Sequence, residues 1–145
     1  GVPFGCHMTF VDKVESPEAV CMESFIGMPV PMHSTSVGKA YLATLDEATR
    51  EQYLAQLTLE PVTHRTCTTL EALRNELTVT RERGYAIDDE ENELGIICFG
   101  QAVRGADGRV EGAISVSVPR YRPPDDGHQR ILECIRSLCS DAGLV

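Results

Sequence analysis

Gly84-Tyr-Ala-Ile-Asp88-Asp-Glu-Glu-Asn-Glu-Leu-Gly95-Ile-Ile-Cys98-Phe-Gly100 decides how the rest of this 145-residue chain is read. Two glycine-delimited apolar runs are joined by an acidic turn, and the second run carries a cysteine inside a strand pattern. In a chain of net charge −9, the consecutive acids Asp88 to Glu91 have an ordinary reading as a solvated loop. Their neighbours point elsewhere. A second strand, Ala113-Ile-Ser115-Val-Ser117-Val118, places a polar residue at every other position. Two strands offering polar atoms on one face suggest a small, partly polar pocket.

Working outward, Gly95 to Val103 and Val110 to Val118 read as strands joined through Ala106-Asp107-Gly108-Arg109, because Asp-Gly is a strong hairpin signal. Upstream, Thr68-Thr-Leu-Glu71 has the form of a capping box that opens a helix. Leu70, Leu73 and Leu77 form its core-facing stripe and Gly84 stops it. Thr44-Leu-Asp-Glu47 opens another helix, buried through Tyr53, Leu54 and Leu57. Before it, His33-Ser-Thr-Ser36-Val37-Gly38-Lys39-Ala40 begins a helix with Ser34 to Ser36 as candidate caps. Such a terminus presents unpaired N–H groups and a positive dipole end, which suits a carboxylate or phosphate. Thr9 to Val14 and Val20 to Ile26 alternate weakly and read as an antiparallel hairpin. Pro29-Val30-Pro31 reads as an extended connection, since two closely spaced prolines cannot enter a central strand. Pro123-Pro-Asp-Asp126 breaks the chain before a last helix, with Ile131, Ile135, Leu138 and Ala142 on one face and Gly143 at its end. Strands joined mostly antiparallel, with helices between and after them, make an α+β domain.

With 42% hydrophobic and 24% charged residues, one domain can build a hydrophobic core without covalent staples. No run reaches the roughly 20 apolar residues of a membrane helix, and no signal peptide is visible. The acidic balance argues against direct contact with nucleic acid, which needs clustered Lys and Arg. Six cysteines are scattered without a C-x-x-C pair and read as buried small hydrophobes in a reducing compartment rather than as a zinc site. Val2-Pro-Phe-Gly5-Cys-His7-Met8 reads either as the remnant of a protease-site tag or as the start of the first strand.

Alternation along 114–118 puts Ser115 and Ser117 on one face and Ile114, Val116 and Val118 on the other. Buried unpaired, each hydroxyl would cost about 1–3 kcal/mol, so each needs a backbone partner, a water or a ligand. A helix terminus at Ser36-Val37, an acid at Asp88 and a floor of Cys98, Ser115 and Ser117 would make a site for a small polar acid. Cys98 could instead be a nucleophile, but no spacing places any of His7, His33, His64 and His128 beside it, and its apolar flanks favour a protonated thiol. Ser36-Val-Gly-Lys39 lacks the preceding glycine of a phosphate loop. No catalytic residue, metal ligand or cofactor is assigned.

Several stretches resemble the C-terminal effector-binding domain of the IclR family of transcriptional regulators. They are Val30-Pro-Met-His-Ser-Thr-Ser-Val-Gly-Lys-Ala-Tyr-Leu-Ala43, Leu73 and Arg81-Glu-Arg-Gly-Tyr-Ala-Ile-Asp-Asp-Glu-Glu91, Leu94-Gly-Ile-Ile-Cys98, and Ala113-Ile-Ser-Val-Ser-Val-Pro119 with Arg122. They span residues 9–145 in the family's order. The resemblance implies a GAF-like or profilin-like fold, a curved antiparallel sheet flanked by helices. It implies a cytoplasmic sensor, homodimeric or tetrameric, that binds a small metabolite, often a keto- or hydroxy-acid. DNA would be reached only through a separate N-terminal winged helix-turn-helix domain, which this chain lacks.

By motif position the resemblance places the effector carboxylate against the backbone N–H groups of Ser36 and Val37 and the hydroxyls of Ser115 and Ser117. Asp88 would accept from an effector hydroxyl, Cys98 would touch the ligand, and Met22 and Val30 would form an apolar wall. Val37 is bulkier than the small residue of some members and narrows that end. The alternatives are a GAF-like signalling module not attached to a repressor and a thiol-dependent hydrolase.

Overall fold

The computed structural model describes residues 1–17, 22, 24–121 and 128–141. Its elements run β1 (Val2–Phe4), β2 (His7–Thr9), β3 (Pro29–Pro31), α1 (Ser36–Thr44), α2 (Glu47–Leu54), α3 (Leu70–Arg83), β4 (Ala86–Asp89), β5 (Ile96–Arg104), β6 (Val110–Pro119) and α4 (Gln129–Asp141). They form two antiparallel three-stranded sheets, β1-β2-β3 and β4-β5-β6. Gly1 and Ala113 exchange two backbone hydrogen bonds of 2.7 and 2.8 Å, so the sheets meet at β1 and β6. The domain is α+β, as the sequence pattern indicates.

The quoted stretch supplies the middle of the second sheet. β5 and β6 pair along their whole length with Cys98 opposite Ser117 and Gly100 opposite Ser115, and a register shift falls beside Arg104. β4 lies on the other side of β5, with Asp88 opposite Cys98. As expected, the face holding Ile114, Val116 and Val118 is apolar. It packs with Phe99 against Ile131, Leu132, Ile135 and Cys139 of α4. The stripe of α4 differs from the 131/135/138/142 reading: Leu138 is 57% exposed, and Leu132 and Cys139 take its place. Ala142, Gly143 and the break at 123–126 lie outside the described residues.

The opposite face of the sheet carries α1, which is buried from Ser36 to Ala43 between β5, β6 and α3. Two glycines permit that depth. A Cβ on Gly100 would sit 2.5 Å from the Ser36 carbonyl oxygen, and one on Gly38 would sit 2.3 Å from the Met32 backbone. Thr35 is the N-cap; its hydroxyl oxygen accepts from the Gly38 N–H at 3.2 Å and its O–H donates to the Pro31 carbonyl at 2.6 Å.

The other caps are displaced from the capping-box reading. Asp46, not Thr44, caps α2, because Thr44 still belongs to α1 and donates to the Ala40 carbonyl. Thr69, not Thr68, caps α3. In the α3 stripe Leu73 and Leu77 are buried, but Leu70 is 37% exposed on the first turn. Gly84 ends α3 in the left-handed conformation at φ 83°, as expected.

The predicted hairpin over 9–26 is the main difference. Residues 18–21 and 23 lie outside the described residues, and the described residues on either side of them are not in strands. The strands fall earlier and later, on 2–4, 7–9 and 29–31. Alternation misled there because Val11 and Val14 face no core; Val14 is 93% exposed. Pro29 and Pro31 do enter a strand, against expectation, because β3 is an edge strand. Met28 accepts from Phe10 N–H, so alternation turns Val30 toward β2 and puts both proline nitrogens on the outer edge, where no N–H is required.

Gly100→Ala should destabilise the chain by about 1–3 kcal/mol or more, since backbone rather than a mobile side chain blocks the added methyl. Urea denaturation measures it; a loss below a few tenths would show that α1 has room to lift.

Candidate functional site

The sheet register assembles the site. Asp88, Cys98 and Ser117 lie side by side across β4, β5 and β6, and Ser115 lies opposite Gly100 in the row two residues further along. Above that second row, Gly100 lets the first turn of α1 come down onto the sheet. Next to this contact is a pocket with about 330 Å3 of space, its mouth included. Ser36, Val37, Asp88, Cys98, Ser115, Met22 and Val30 all line it, so seven of the sequence-assigned residues converge on one space. Ser117 does not line it. Its hydroxyl lies behind, 3.1 Å from the Cys98 sulfur, and donates to the Met22 sulfur at 3.6 Å.

Thr35 serves the N–H of Gly38 through its hydroxyl and that of Lys39 through its carbonyl. The N–H groups of Ser36 and Val37 at the pocket have no partner among the described residues, the ordinary condition of a helix's first turn. Phe10, Met28 and Val30 supply apolar lining to the same pocket. Phe10, Ser24, Met28, Thr35 and Asn92 line the pocket without having been assigned. The first three sit in or beside the misread hairpin. Asn92 follows the acidic run directly, and that position carried no signal of its own.

The acidic run is not a solvated loop. Asp88 is buried, and its Oδ1 accepts from the N–H groups of Glu91 at 2.8 Å and Asn92 at 3.2 Å, closing the turn. Asp89 pairs with Arg65 and Arg120, and Glu90 accepts from the Gly95 N–H at 2.8 Å while facing the same two arginines. Glu90 holds φ at 62°, a conformation side chains rarely adopt, and these bonds keep it there. Glu91 turns inward to Lys39, which is fully buried on α1 and also lies 3.8 Å from Glu76 of α3. Thr63 and Thr66 donate to the carbonyls of Glu90 and Glu91, each at 2.7 Å. Every acid of the run therefore has a partner.

Burial is the main influence on the titrating groups. It lifts the Asp88 carboxyl to about 6, against the pull of its two backbone N–H bonds. Burial and, next, the Asp88 charge push the Cys98 thiol up to about 12. A thiol of that kind is protonated at neutral pH and a poor nucleophile. The buried His33 ring is bonded to the Glu60 carbonyl at 3.0 Å. Among the described residues no group of His, Cys, Asp and Glu could hold a metal ion.

Comparison with known proteins identifies the architecture. The model of the bacterial transcriptional regulator IclR C-terminal domain matches residues 2–142. The chain belongs to the IclR family. It is 36% identical to the HTH-type transcriptional regulator XynR of Escherichia coli over 86% of this chain and 50% of that protein. It is also 36% identical to the transcriptional repressor IclR of E. coli over 80% of this chain and 42% of that protein. It thus spans about half the length of these relatives. The Thermotoga maritima IclR structure superposes with a TM-score of 0.89 at 32% identity, covering 96% of this chain and 56% of that one. The C-terminal domain of E. coli KdgR does so with a TM-score of 0.80 at 30% identity, covering 98% and 79%. The fold is the GAF/profilin-like one of IclR C-terminal domains. No described helix is long and apolar enough to cross a membrane.

The raised Asp88 carboxyl makes a signed prediction. Between pH 4 and 6 the folded chain holds a proton there that the unfolded chain has released, so rising pH costs stability across that window. Asp88→Asn keeps an acceptor for the turn and removes the titration. Its stability relative to wild type should rise between pH 4 and 6 by up to about 3 kcal/mol, measured by denaturant unfolding at each pH. A flat difference would mean that Asp88 titrates as an exposed acid.

Proposed function

We propose that this pocket is the effector site of an IclR-type regulator, and that it takes a compact keto- or hydroxy-acid. One observation carries the reading: Ser36 and Val37, whose N–H groups have no partner among the described residues, line one small pocket together with Ser115, Asp88 and several apolar residues. The helix terminus and Ser115 suit the effector carboxylate. Asp88 accepts from an effector hydroxyl. Val37 and the two methionines limit the ligand to a short skeleton. Ser117 acts from behind by fixing Cys98 and Met22.

Nothing in this site calls for turnover, since its thiol is protonated and its relatives are regulators. Control follows from population shift: the effector binds one arrangement of a cytoplasmic dimer or tetramer more tightly than another. The DNA-binding domains of the longer protein are respaced as a result.

A thermal-shift screen with glyoxylate, pyruvate, sugar acids and other small carboxylates tests the ligand class. At about 100 times its dissociation constant a true effector adds about 2.7 kcal/mol and raises the midpoint by several degrees. The Ser115→Ala, Ser117→Ala double variant should fold normally and lose that shift. An undiminished shift would remove the pocket from the assignment. Iodoacetamide should leave Cys98 unlabelled in the folded chain at neutral pH; rapid labelling with hydrolysis of acyl substrates would favour the hydrolase reading instead.

A further inference from the structure

On the side of the domain where α3 ends, β5 outruns β4. Pairing between them stops at Ala86 opposite Gly100, because Gly84 and Tyr85 turn away into α3. The Ile96 carbonyl accepts from Glu90 N–H and so faces the β4 side. Alternation carries that direction to Ala102 and Arg104, whose peptide groups have no backbone partner on that side among the described residues. A cleft with about 1210 Å3 of open space surrounds this strand end. Ala40, Ala43 and Thr44 of α1 line it on one face of the sheet, and Arg136 and Cys139 of α4 on the other. A single space bounded from both faces wraps around a strand edge.

Three features of the cleft select its occupant. Its lining includes the small side chains of Ala40, Ala43 and Ala102, over which a backbone can approach closely. Arg81, Arg104 and Arg136 line it with no carboxylate among the described lining residues, in a chain of net charge −9; Arg104 spends one N–H on the Gly108 carbonyl at 2.8 Å. The buried Oε1 of Gln101, on the same strand, has no hydrogen-bond partner among the described residues. An inorganic or carboxylate anion would satisfy the arginines and leave the Gln101 oxygen and the edge carbonyls unpaired. A peptide main chain offers donors and acceptors in alternation, and acidic side chains answer the arginines.

We propose that this cleft is a docking groove in which an extended acidic segment of a partner protein adds as a strand to the open end of β5. From Gln101 to Arg104 the edge is about 13 Å long, room for roughly four residues of such a segment. The groove is separate from the effector pocket, and the two share α1, whose first turn lines one and whose last turn lines the other.

The test uses a fluorescent peptide in which Glu alternates with Val, followed by anisotropy on the intact chain. Binding should weaken by about tenfold or more in Arg81→Glu, Arg136→Glu, two exposed positions whose reversal leaves the core untouched. The same peptide N-methylated at alternate residues keeps its charge and cannot pair with a strand, so it should not bind. Equal binding of the methylated peptide, or displacement by citrate at the concentration of the peptide, would overturn strand addition in favour of a simple anion site. No binding overturns the proposal, as does a change in the sedimentation of the chain alone on reversing the arginines, which would make a second copy the occupant.

Discussion

The buried ammonium of Lys39 is the interaction around which the rest is arranged. Its side chain has no solvent exposure, and a charge so placed is tolerable only when paired. Glu91 provides the pair and Glu76 stands close by, so α1, the acidic turn and α3 are drawn to one point. The turn can send Glu91 inward only because Asp88 closes it and Thr63 and Thr66 hold its carbonyls. Removing one member would leave an uncompensated charge inside the domain, which typically costs about 3–5 kcal/mol. The run of acids looked like a solvated loop because three of its partners, Lys39, Arg65 and Arg120, are distant in sequence.

Much of the second sheet was legible. Asp-Gly at the hairpin tip, the alternation of 114–118 and the left-handed stop at Gly84 are local signals, and each kept its meaning in the folded chain. The first sheet was not legible. Its strands are three residues long, too short for a period to show, and one of them contains two prolines. Cap positions slipped by one or two residues where several hydroxyl or acidic residues compete, as at 44–46 and 68–69. The outer face of α4 was misjudged because Leu138 and Cys139 are equally apolar on paper, and only the position of Phe99 decides between them.

The site was legible to the extent that strand register and helix capping are. Alternation alone puts Ser115 and Ser117 on one face, yet it cannot say that one hydroxyl opens on the pocket while the other is spent on two sulfurs. Nor does any pattern announce Asn92, whose place depends on how tightly Asp88 closes its turn. Backbone contact also shapes the pocket's surroundings: Gly100 sets how low the first turn of α1, which carries the lining residues Ser36 and Val37, can ride over the sheet.

The two prolines of β3 have a consequence for how this molecule behaves at high concentration. An antiparallel sheet whose last strand carries free amides is a template for further strands, and unlimited stacking ends in insoluble fibre. At positions 29 and 31 the outward-facing nitrogens belong to proline rings, and the outward carbonyl of Pro31 is already occupied by the Thr35 hydroxyl. That rim gives an incoming strand almost nothing to hold, so growth by sheet extension is terminated at one end of the domain by chemistry fixed in the chain itself.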